Sequence, residues 1–339
     1  MVFSPLSAKQ TGDLRAGPAY SLPQMSTNGE YIGIEIGGTK LQIVSGDAAG
    51  TILRRWRFAV APGEGGAGIR RQIESVLARN QPALEGIRAL GAGFGGPVDW
   101  QSGRIACSHQ VEGWSDFDFK AWLEDLTGRP AVVDNDANVA ALGEACKGAG
   151  ADANPAMYVT LGSGVGGGLV VKGRIYHGAK PGEVEIGHVR LDRQGATVES
   201  RCSGWAVDAK IRRQVAACPA GVLATLVGVQ TQGESKWLAE ACRRGDEAAR
   251  AMLEETAADL AFGLSHAVHL FHPEAIVLGG GLSLVGEPLR QAVADHLPGF
   301  IMRVFAPGPR IRLASLGEEA VPIGALILAG SSVGTAREE

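Results

Sequence analysis

Two stretches of the chain share one pattern, in which an apolar, β-prone run reaches a glycine turn with a hydroxyl residue and continues as a second apolar run. The first is Ile36-Gly37-Gly38-Thr39 and the second, roughly 125 residues later, is Leu161-Gly162-Ser163-Gly164. Glycines permit backbone angles that side chains forbid and let main-chain amides approach an anion closely. An ordinary hairpin explains the first copy alone equally well. The repetition favours a duplicated chain in which each half presents a phosphate-facing turn to one shared cleft.

Bulk properties agree with two lobes that bind a small molecule. The chain has 339 residues, more than one hydrophobic core usually serves. Its net charge of -4 gives no general electrostatic reason to bind nucleic acid or an anionic membrane. No apolar run reaches the length of about 18 residues that a membrane span needs. The five cysteines are scattered without a C-x-x-C pair, so we predict reduced thiols and a cytoplasmic location.

Polar and acidic residues follow the predicted strands at positions where open α/β sheets bind ligands. The strand that begins at Ile87 leads into a glycine-rich loop containing Gly96, although a tight loop closed by Pro97 explains those glycines equally well. A second strand leads to Asp134-Asn135-Asp136-Ala137-Asn138 at the start of a predicted helix. Helix capping accounts for one or two of these four polar side chains but not readily for all of them.

Two later segments add ligand-binding chemistry. Glu185 and His188 lie three residues apart beside glycines, so both side chains can face one ligand, although a lone histidine is more often structural. Gly279-Gly280-Gly281 follows an apolar strand, and its bare backbone suits a ribose or a base next to the N-terminus of the following helix. His266, His269 and His272 have helical spacing but no paired carboxylate or cysteine, and we expect structural roles for them.

The order of these motifs resembles that of the ROK family of sugar kinases and sugar-responsive repressors, within the actin-like ATPase superfamily. The resemblance extends from about Tyr31 to Gly330. Five segments carry it, which are similar to the family's first phosphate loop, catalytic segment, second phosphate loop, sugar-binding signature and adenosine loop. They are Glu35–Lys40, Asn135–Asn138, Leu161–Gly168, Glu185–His188 and Leu278–Gly281.

The resemblance implies an α/β protein with the two-lobed actin-like ATPase (ribonuclease H-like) fold. Each lobe would be a mixed sheet flanked by helices, with the active site in the cleft between the lobes and a homodimer as the assembly. The expected divisions are a flexible extension over 1–29, an N-terminal lobe over 30–134, a C-terminal lobe over 135–319, a helix over about 320–332 that packs back on the first lobe, and a frayed tail over 333–339.

The resemblance also implies an ATP- and Mg²⁺-dependent reaction with Asp136 as the general base. Backbone donors to the phosphates are expected from both glycine turns. The residues expected to bind the sugar are Gly96, Gln110, Asn135, Glu185 and His188. The residues expected to bind ATP and Mg²⁺ are Glu35, Gly37, Gly38, Thr39, Lys40, Gly162, Ser163, Gly164, Gly279, Gly280 and Gly281.

Three positions depart from the family pattern. The first loop usually begins with Asp, and here Glu35 is one methylene longer, a difference that a bridging water accommodates. Gln110 stands, beside His109, where Asn usually meets the sugar. The zinc cluster C-x-C-G-x-x-G-C that many members carry is reduced to Cys202, and one thiolate with one histidine cannot complete a tetrahedral site. We therefore predict no structural zinc and expect packing of Trp205 to stabilise the loop instead.

The leading functional hypothesis is phosphorylation of a hexose, glucose or a related N-acylated hexose. A second hypothesis is a sugar-sensing or regulatory protein without catalysis. Family repressors carry a helix-turn-helix ahead of the first loop, and the roughly 29 residues that precede it here lack a basic helix. A third is a degenerate kinase with another acceptor. Retention of Asp136 and of both glycine turns favours activity.

Overall fold

The computed structural model describes residues 29–38, 40–80, 86–108, 111–180, 182 and 184–334. The predictions for Thr39, His109, Gln110 and the extension before residue 29 lie outside these residues. In the described part of the chain the strands are β1 Glu30–Ile36, β2 Lys40–Gly46, β3 Ile52–Ala59, β4 Ile87–Phe94, β5 Val98–Asp99, β6 Arg104–Ile105, β7 Phe117–Asp118, β8 Ala131–Asn135, β9 Ala156–Leu161, β10 Val165–Val171, β11 Arg174–Ile175, β12 Ala275–Gly279 and β13 Arg310–Leu313.

Ten α-helices lie in the same described residues, five of them in succession between β11 and β12. They are α1 Gly65–Arg79, α2 Phe119–Thr127, α3 Asp136–Lys147, α4 Val198–Cys202, α5 Gly204–Ala217, α6 Val222–Val227, α7 Leu238–Arg243, α8 Glu247–Phe271, α9 Glu287–His296 and α10 Ala320–Gly334. The last helix therefore includes residues 333 and 334, which the sequence assigned to a frayed tail, and residues 335–339 lie outside the described chain.

Two five-stranded mixed sheets have the same order and polarity. The first is β3-β2-β1-β4-β8 and the second is β11-β10-β9-β12-β13. In each sheet an antiparallel meander is followed by two parallel strands. This repeated topology agrees with the duplication that the two glycine turns indicate, because each turn joins the first two strands of a three-stranded meander. β5, β6 and β7 form a small third sheet.

Each large sheet has its own hydrophobic core. The first core joins β1, β2, β4 and β8 to α1 and α2 around Trp114 and Phe94. The second joins β9, β10 and β12 to helices α4 to α9. Amphipathic periodicity explains the outer helices: α1 buries Ile69, Ile73 and Val76 and exposes the opposite face.

Helices α3 and α10 lie between the two sheets. α3 contacts β9 and β10, α10 contacts β1 and β4, and the two helices contact each other. Glycines permit this close approach: a Cβ on Gly324 would lie 1.8 Å from the carbonyl oxygen of Val139, and one on Gly91 would lie 2.0 Å from that of Ala325. The functional residues at the start of α3 are thereby fixed by both halves of the molecule.

Candidate active site

A cleft of about 370 Å³ lies beside the N-terminus of α3. Residues from both halves line it: Glu35 and Lys40 come from the first hairpin, Asp136 from α3, and Gly280 and Gly281 from the segment after β12. Five of the residues predicted to bind nucleotide or to act in catalysis are thus brought together. A smaller adjoining cavity of about 10 Å³ has a different lining, which includes Ile36, Gly37, Gly38, Gly95 and Ser108.

The junction of β8 and α3 holds Asp136 in place through its neighbour Asn135. The Asn135 side chain accepts hydrogen bonds from the amides of Ala137 (2.8 Å) and Asn138 (3.4 Å), which makes Asn135 the N-cap of α3. The same side chain donates through Nδ2 to the carbonyl oxygen of Gly96 at 3.0 Å. Asn135 and Gly96 are both predicted sugar contacts, and in this structure they bond to each other and hold the β8–α3 junction in place.

The carboxyl group of Asp136 has an unusual affinity for its proton. Burial, together with the smaller effects of the negative charges of Glu35 and Glu185, raises the pKa of Asp136 to about 7 against a lowering hydrogen bond from the Ala137 amide. A Cβ on Gly95 would lie 3.4 Å from Asp136 Oδ2, so the bare backbone of Gly95 leaves room beside the carboxylate. A carboxyl group with a pKa near neutrality is suited to accept a proton from a hydroxyl group.

The first hairpin places a lysine and a carboxylate at the cleft. Lys40 Nζ lies 3.3 Å from Glu35 Oε1, and Gln42 Nε2 donates to Glu35 Oε2 at 2.7 Å. Burial raises the pKa of Glu35, and Lys40 and Gln42 partly oppose that effect. Glu35 therefore enters the cleft as a restrained carboxylate on a rigid hairpin.

Two backbone amides of the glycine turns donate hydrogen bonds within their own turns. Gly37 N donates to Lys40 O at 3.0 Å and Gly162 N donates to Gly164 O at 2.9 Å. Each of these two amides therefore closes its own turn in this structure. Their predicted role as phosphate donors, and that of Gly38, Ser163 and Gly164, stays a prediction.

The second turn is fixed from the side by helices α4 and α5. Gly204 N donates to Gly162 O at 2.7 Å, and the Glu199 carboxylate accepts from Val165 N at 2.9 Å. A Cβ on Gly164 would lie 2.4 Å from Glu199 Oε2, so only glycine fits there without displacing that side chain. Sequence reasoning did not assign Glu199 a role, although it stands in the segment that replaces the zinc cluster.

The third glycine segment differs from its prediction in two respects. Gly280, with a φ of +79°, packs on the backbone of Leu161, and a Cβ there would lie 2.6 Å from two of its atoms. Gly279 faces the Tyr158 hydroxyl and does not line the cleft. The expected helix N-terminus is also absent at this point, because a 3₁₀ turn over Gly281–Val285 follows the strand and α9 begins only at Glu287.

Glu185 and His188 occupy one short 3₁₀ turn, Ile186–His188, that packs on β10. His188 N donates to Glu185 O at 3.0 Å, and both residues are exposed. The charge of Glu185 acts on Asp136, as the pKa of Asp136 indicates. Glu185 is therefore close enough to Asp136 for its charge to act there, and a ligand shared by Glu185 and His188 stays a prediction.

The loop that replaces the zinc cluster is held by packing and by helix caps. Cys202 is fully buried, and burial raises its pKa to about 12, which disfavours the thiolate that a metal ligand needs. Thr197 and Ser200 form a capping box, and Ser203 caps α5. The expectation that Trp205 packs in this loop is wrong: Trp205 is 68% exposed, because α5 buries Val207 and Ile211 on another face.

No group of three or more His, Cys, Asp or Glu side chains in the described residues is arranged to hold a metal ion. The absence of a structural zinc stays a prediction, which metal analysis of the purified protein tests. The helical histidines have structural contacts: His269 Nε2 accepts from Met302 N at 3.2 Å, His266 meets Phe262 edge to face, and His272 ends α8 beside Phe305. The described residues also contain no helix with the length and apolar character to cross a membrane.

Comparison with known proteins agrees with this geometry. The model of the ROK family matches residues 31–332. The chain belongs to the ROK family. A glucokinase from Halalkalibacterium halodurans is 31% identical over 307 residues, which cover 87% of this chain and 93% of the relative. A putative xylose repressor from a Caldicellulosiruptor species is 27% identical, with 84% of this chain and 75% of the repressor covered.

Solved ROK structures share the fold. The ROK family glucokinase from Streptomyces griseus, solved in complex with glucose and AMPPNP, has a TM-score of 0.73 and 30% identity, covering 89% of this chain and 100% of that one. The two-lobed actin-like ATPase fold expected from the motif order is therefore confirmed. ROK proteins include both kinases and repressors, so membership alone leaves the activity of this chain to be argued from its site.

Proposed function

We propose that this ROK protein is a kinase that transfers the γ-phosphate of ATP to a hydroxyl group of a hexose, glucose or a related N-acylated hexose. The observation that carries the proposal is Asp136, whose carboxyl group has a pKa of about 7 and lies on the 370 Å³ cleft with Glu35 and Lys40. The similarity to glucokinases over most of the chain supports the same assignment.

The chemistry follows from these positions. Asp136 takes the proton of a sugar hydroxyl group while the hydroxyl oxygen attacks the γ-phosphorus, and the bond to the bridging oxygen breaks to release ADP. Lys40 is the cation that faces the transferred charge. The chain thus supplies both the base and a positive group to one cleft.

A magnesium ion fits the donor set at this cleft. Glu35 would offer carboxylate oxygens, the ligands that Mg²⁺ prefers, while the carboxylate of Asp136 stays free to accept the proton of the sugar hydroxyl group. When bound with the nucleotide, the ion supplies charge neutralisation on the phosphates. Glu35 remains tied to Lys40 and Gln42, so its longer side chain is held in one orientation.

The sugar is assigned to the side of Asp136 where Glu185 and His188 lie. Their exposure leaves both side chains open to hydroxyl groups of a ligand. Gln110 stays a predicted contact. Because discrimination between hexoses depends on single hydrogen bonds to hydroxyl groups, the choice of acceptor is left to experiment.

The test is ADP release with ATP, Mg²⁺ and a panel of hexoses and N-acylated hexoses, run beside Asp136→Asn. We expect one or a few sugars to give turnover and the variant to lose a factor of about 10² to 10⁴. Full activity in the variant would contradict the role of Asp136. Binding of sugar without any turnover would favour a sensor, the second candidate, which the similarity to a putative xylose repressor supports.

The cellular location and the oligomeric state of the chain are also proposals. A cytoplasmic homodimer that binds neither nucleic acid nor membrane stays a prediction. Light scattering of the purified chain at micromolar concentration measures the mass, and we expect twice the 35.2 kDa of one chain.

A further inference from the structure

A segment after β11 crosses from the second sheet to the first. We call it the strap and define it as residues 176–180. His177 Nε2 donates to Asp134 Oδ2 at 2.7 Å, and Lys180 Nζ lies 2.9 Å from Asp99 Oδ2. The imidazole of His177 stacks on Trp100, with ring centroids 4.2 Å apart and an interplanar angle of 15°. The strap is therefore anchored on the first half of the chain at two points.

Asp134 links His177 to the junction of β8 and α3, where Asp136 lies. Its carboxylate is almost completely buried, with 3% side-chain exposure. Oδ1 accepts from Asn135 N at 2.7 Å and from Asn138 Nδ2 at 3.0 Å, and Oδ2 faces His177. A buried carboxylate keeps one orientation only while its hydrogen bonds are satisfied, because an unsatisfied charge is costly.

Removal of the His177 imidazole would therefore change the orientation of Asp136. With His177 gone, Oδ2 of a buried carboxylate loses its cationic or N–H partner, and the carboxylate must rotate or admit water. Rotation of the carboxylate breaks the hydrogen bond that Asp134 Oδ1 accepts from Asn135 N. Asn135 is the N-cap that fixes the first turn of α3, where Asp136 is the first residue.

We infer that His177 is a positioning residue, which acts through Asp134 to hold Asp136 in the orientation that phosphoryl transfer requires. The inference rests on the proposed function. The stacked indole of Trp100 fixes the imidazole plane, and the short 2.7 Å bond fixes its distance from Asp134.

The test compares His177→Ala, His177→Gln and the matched control Lys180→Ala. Lys180 lies on the same strap and makes the other contact with the first half, but it does not touch Asp134. We expect His177→Ala to lower kcat by about ten- to a hundredfold, because small misplacements of reacting groups are that costly. Sugar and ATP KM should change by less than about threefold. His177→Gln, whose amide can donate in place of Nε2, should recover most of kcat, and Lys180→Ala should retain it.

A double variant identifies the route. If His177 acts through Asp134, His177→Ala with Asp134→Asn should lower kcat no more than the worse single variant does. Additive losses, a raised KM with unchanged kcat, or equal losses in Lys180→Ala would overturn the inference. An inactive wild-type protein in the same assay would instead contradict the proposed function, so the two failures are distinguishable.

Discussion

Asp136 is poised between two protonation states because its surroundings oppose its negative charge. The pKa of about 7 arises first from burial and then from the charges of Glu35 and Glu185. These two carboxylates are also the ones that the proposed function places on the nucleotide and on the sugar. The residue that carries the chemistry is thus tuned by the residues that bind the substrates.

The raised pKa of Asp136 predicts that the reaction rate falls at acid pH. Only the ionised form of Asp136 accepts a proton, so kcat/KM for the sugar should fall about tenfold per pH unit below pH 7 and level off above it. Initial rates between pH 5 and 9 measure the profile. A rate that stays constant down to pH 5 would show that ionisation of Asp136 does not limit the reaction.

The same shift predicts a pH-dependent cost in stability. Because folding raises the pKa of Asp136 from 3.8 to about 7, the folded state holds a proton that the unfolded state loses, and stability declines as pH rises across that interval. At about 1.4 kcal/mol per pKa unit the cost above pH 7 is on the order of 4 kcal/mol as an upper bound. Asp136→Asn should therefore unfold at higher denaturant concentration than wild type at pH 8 and at a similar one at pH 4. Equal midpoints at pH 8 would argue against the raised pKa.

At the scale of elements, the glycine segment after β12 forms part of the cleft lining. Gly280 and Gly281 both line the cleft, yet their surroundings differ. Gly280 has positive φ and touches the Leu161 backbone, whereas nothing lies within 4 Å of a Cβ built on Gly281.

Substitution by alanine should separate these two glycines. Gly280→Ala should cost about 1–2 kcal/mol for the backbone conformation, and more for the contact with Leu161. Gly281→Ala should be within about 0.5 kcal/mol of wild type. Thermal unfolding with and without ATP measures both. Comparable midpoints for the two variants would mean that the packing of Gly280 on β9 is unimportant.

Local chemistry explains which elements were predictable. The hairpin at Glu35–Lys40 and the capped helix start at Asn135 are both determined by a few neighbouring residues. The Asp134–His177 pair was missed because its partners are 43 residues apart and meet only when the strap crosses between the sheets. Trp205 was misplaced because the burial of an aromatic residue depends on which face of α5 meets the core.

For the molecule as a whole, α10 (Ala320–Gly334) contacts elements of both halves. It contacts α3 and the first sheet, and Gly324 meets the carbonyl oxygen of Val139 on α3. The position of Asp136 therefore depends on a helix almost 190 residues away in sequence. The division into lobes at residues 134/135 and 319/320 stays a proposal.

Adding a methyl group at the contact between Gly324 and Val139 should destabilise the folded protein. A Cβ on Gly324 would lie 1.8 Å from the Val139 oxygen, so Gly324→Ala must separate α10 from α3, with an expected cost of about 1–3 kcal/mol. Gly299→Ala, where a Cβ meets nothing within 4 Å, is the control. Denaturant unfolding compares the two, and an unchanged midpoint in Gly324→Ala would contradict the close packing.

The central claim is that this chain transfers phosphate from ATP to a sugar. Phosphorus-31 NMR of the protein with ATP, Mg²⁺ and the hexose that gives the fastest ADP release measures the product directly. We expect a sugar phosphate ester to form in equal amount to ADP, and to be absent with Asp136→Asn. Inorganic phosphate as the only product, or the same ester yield from the variant, would contradict the account.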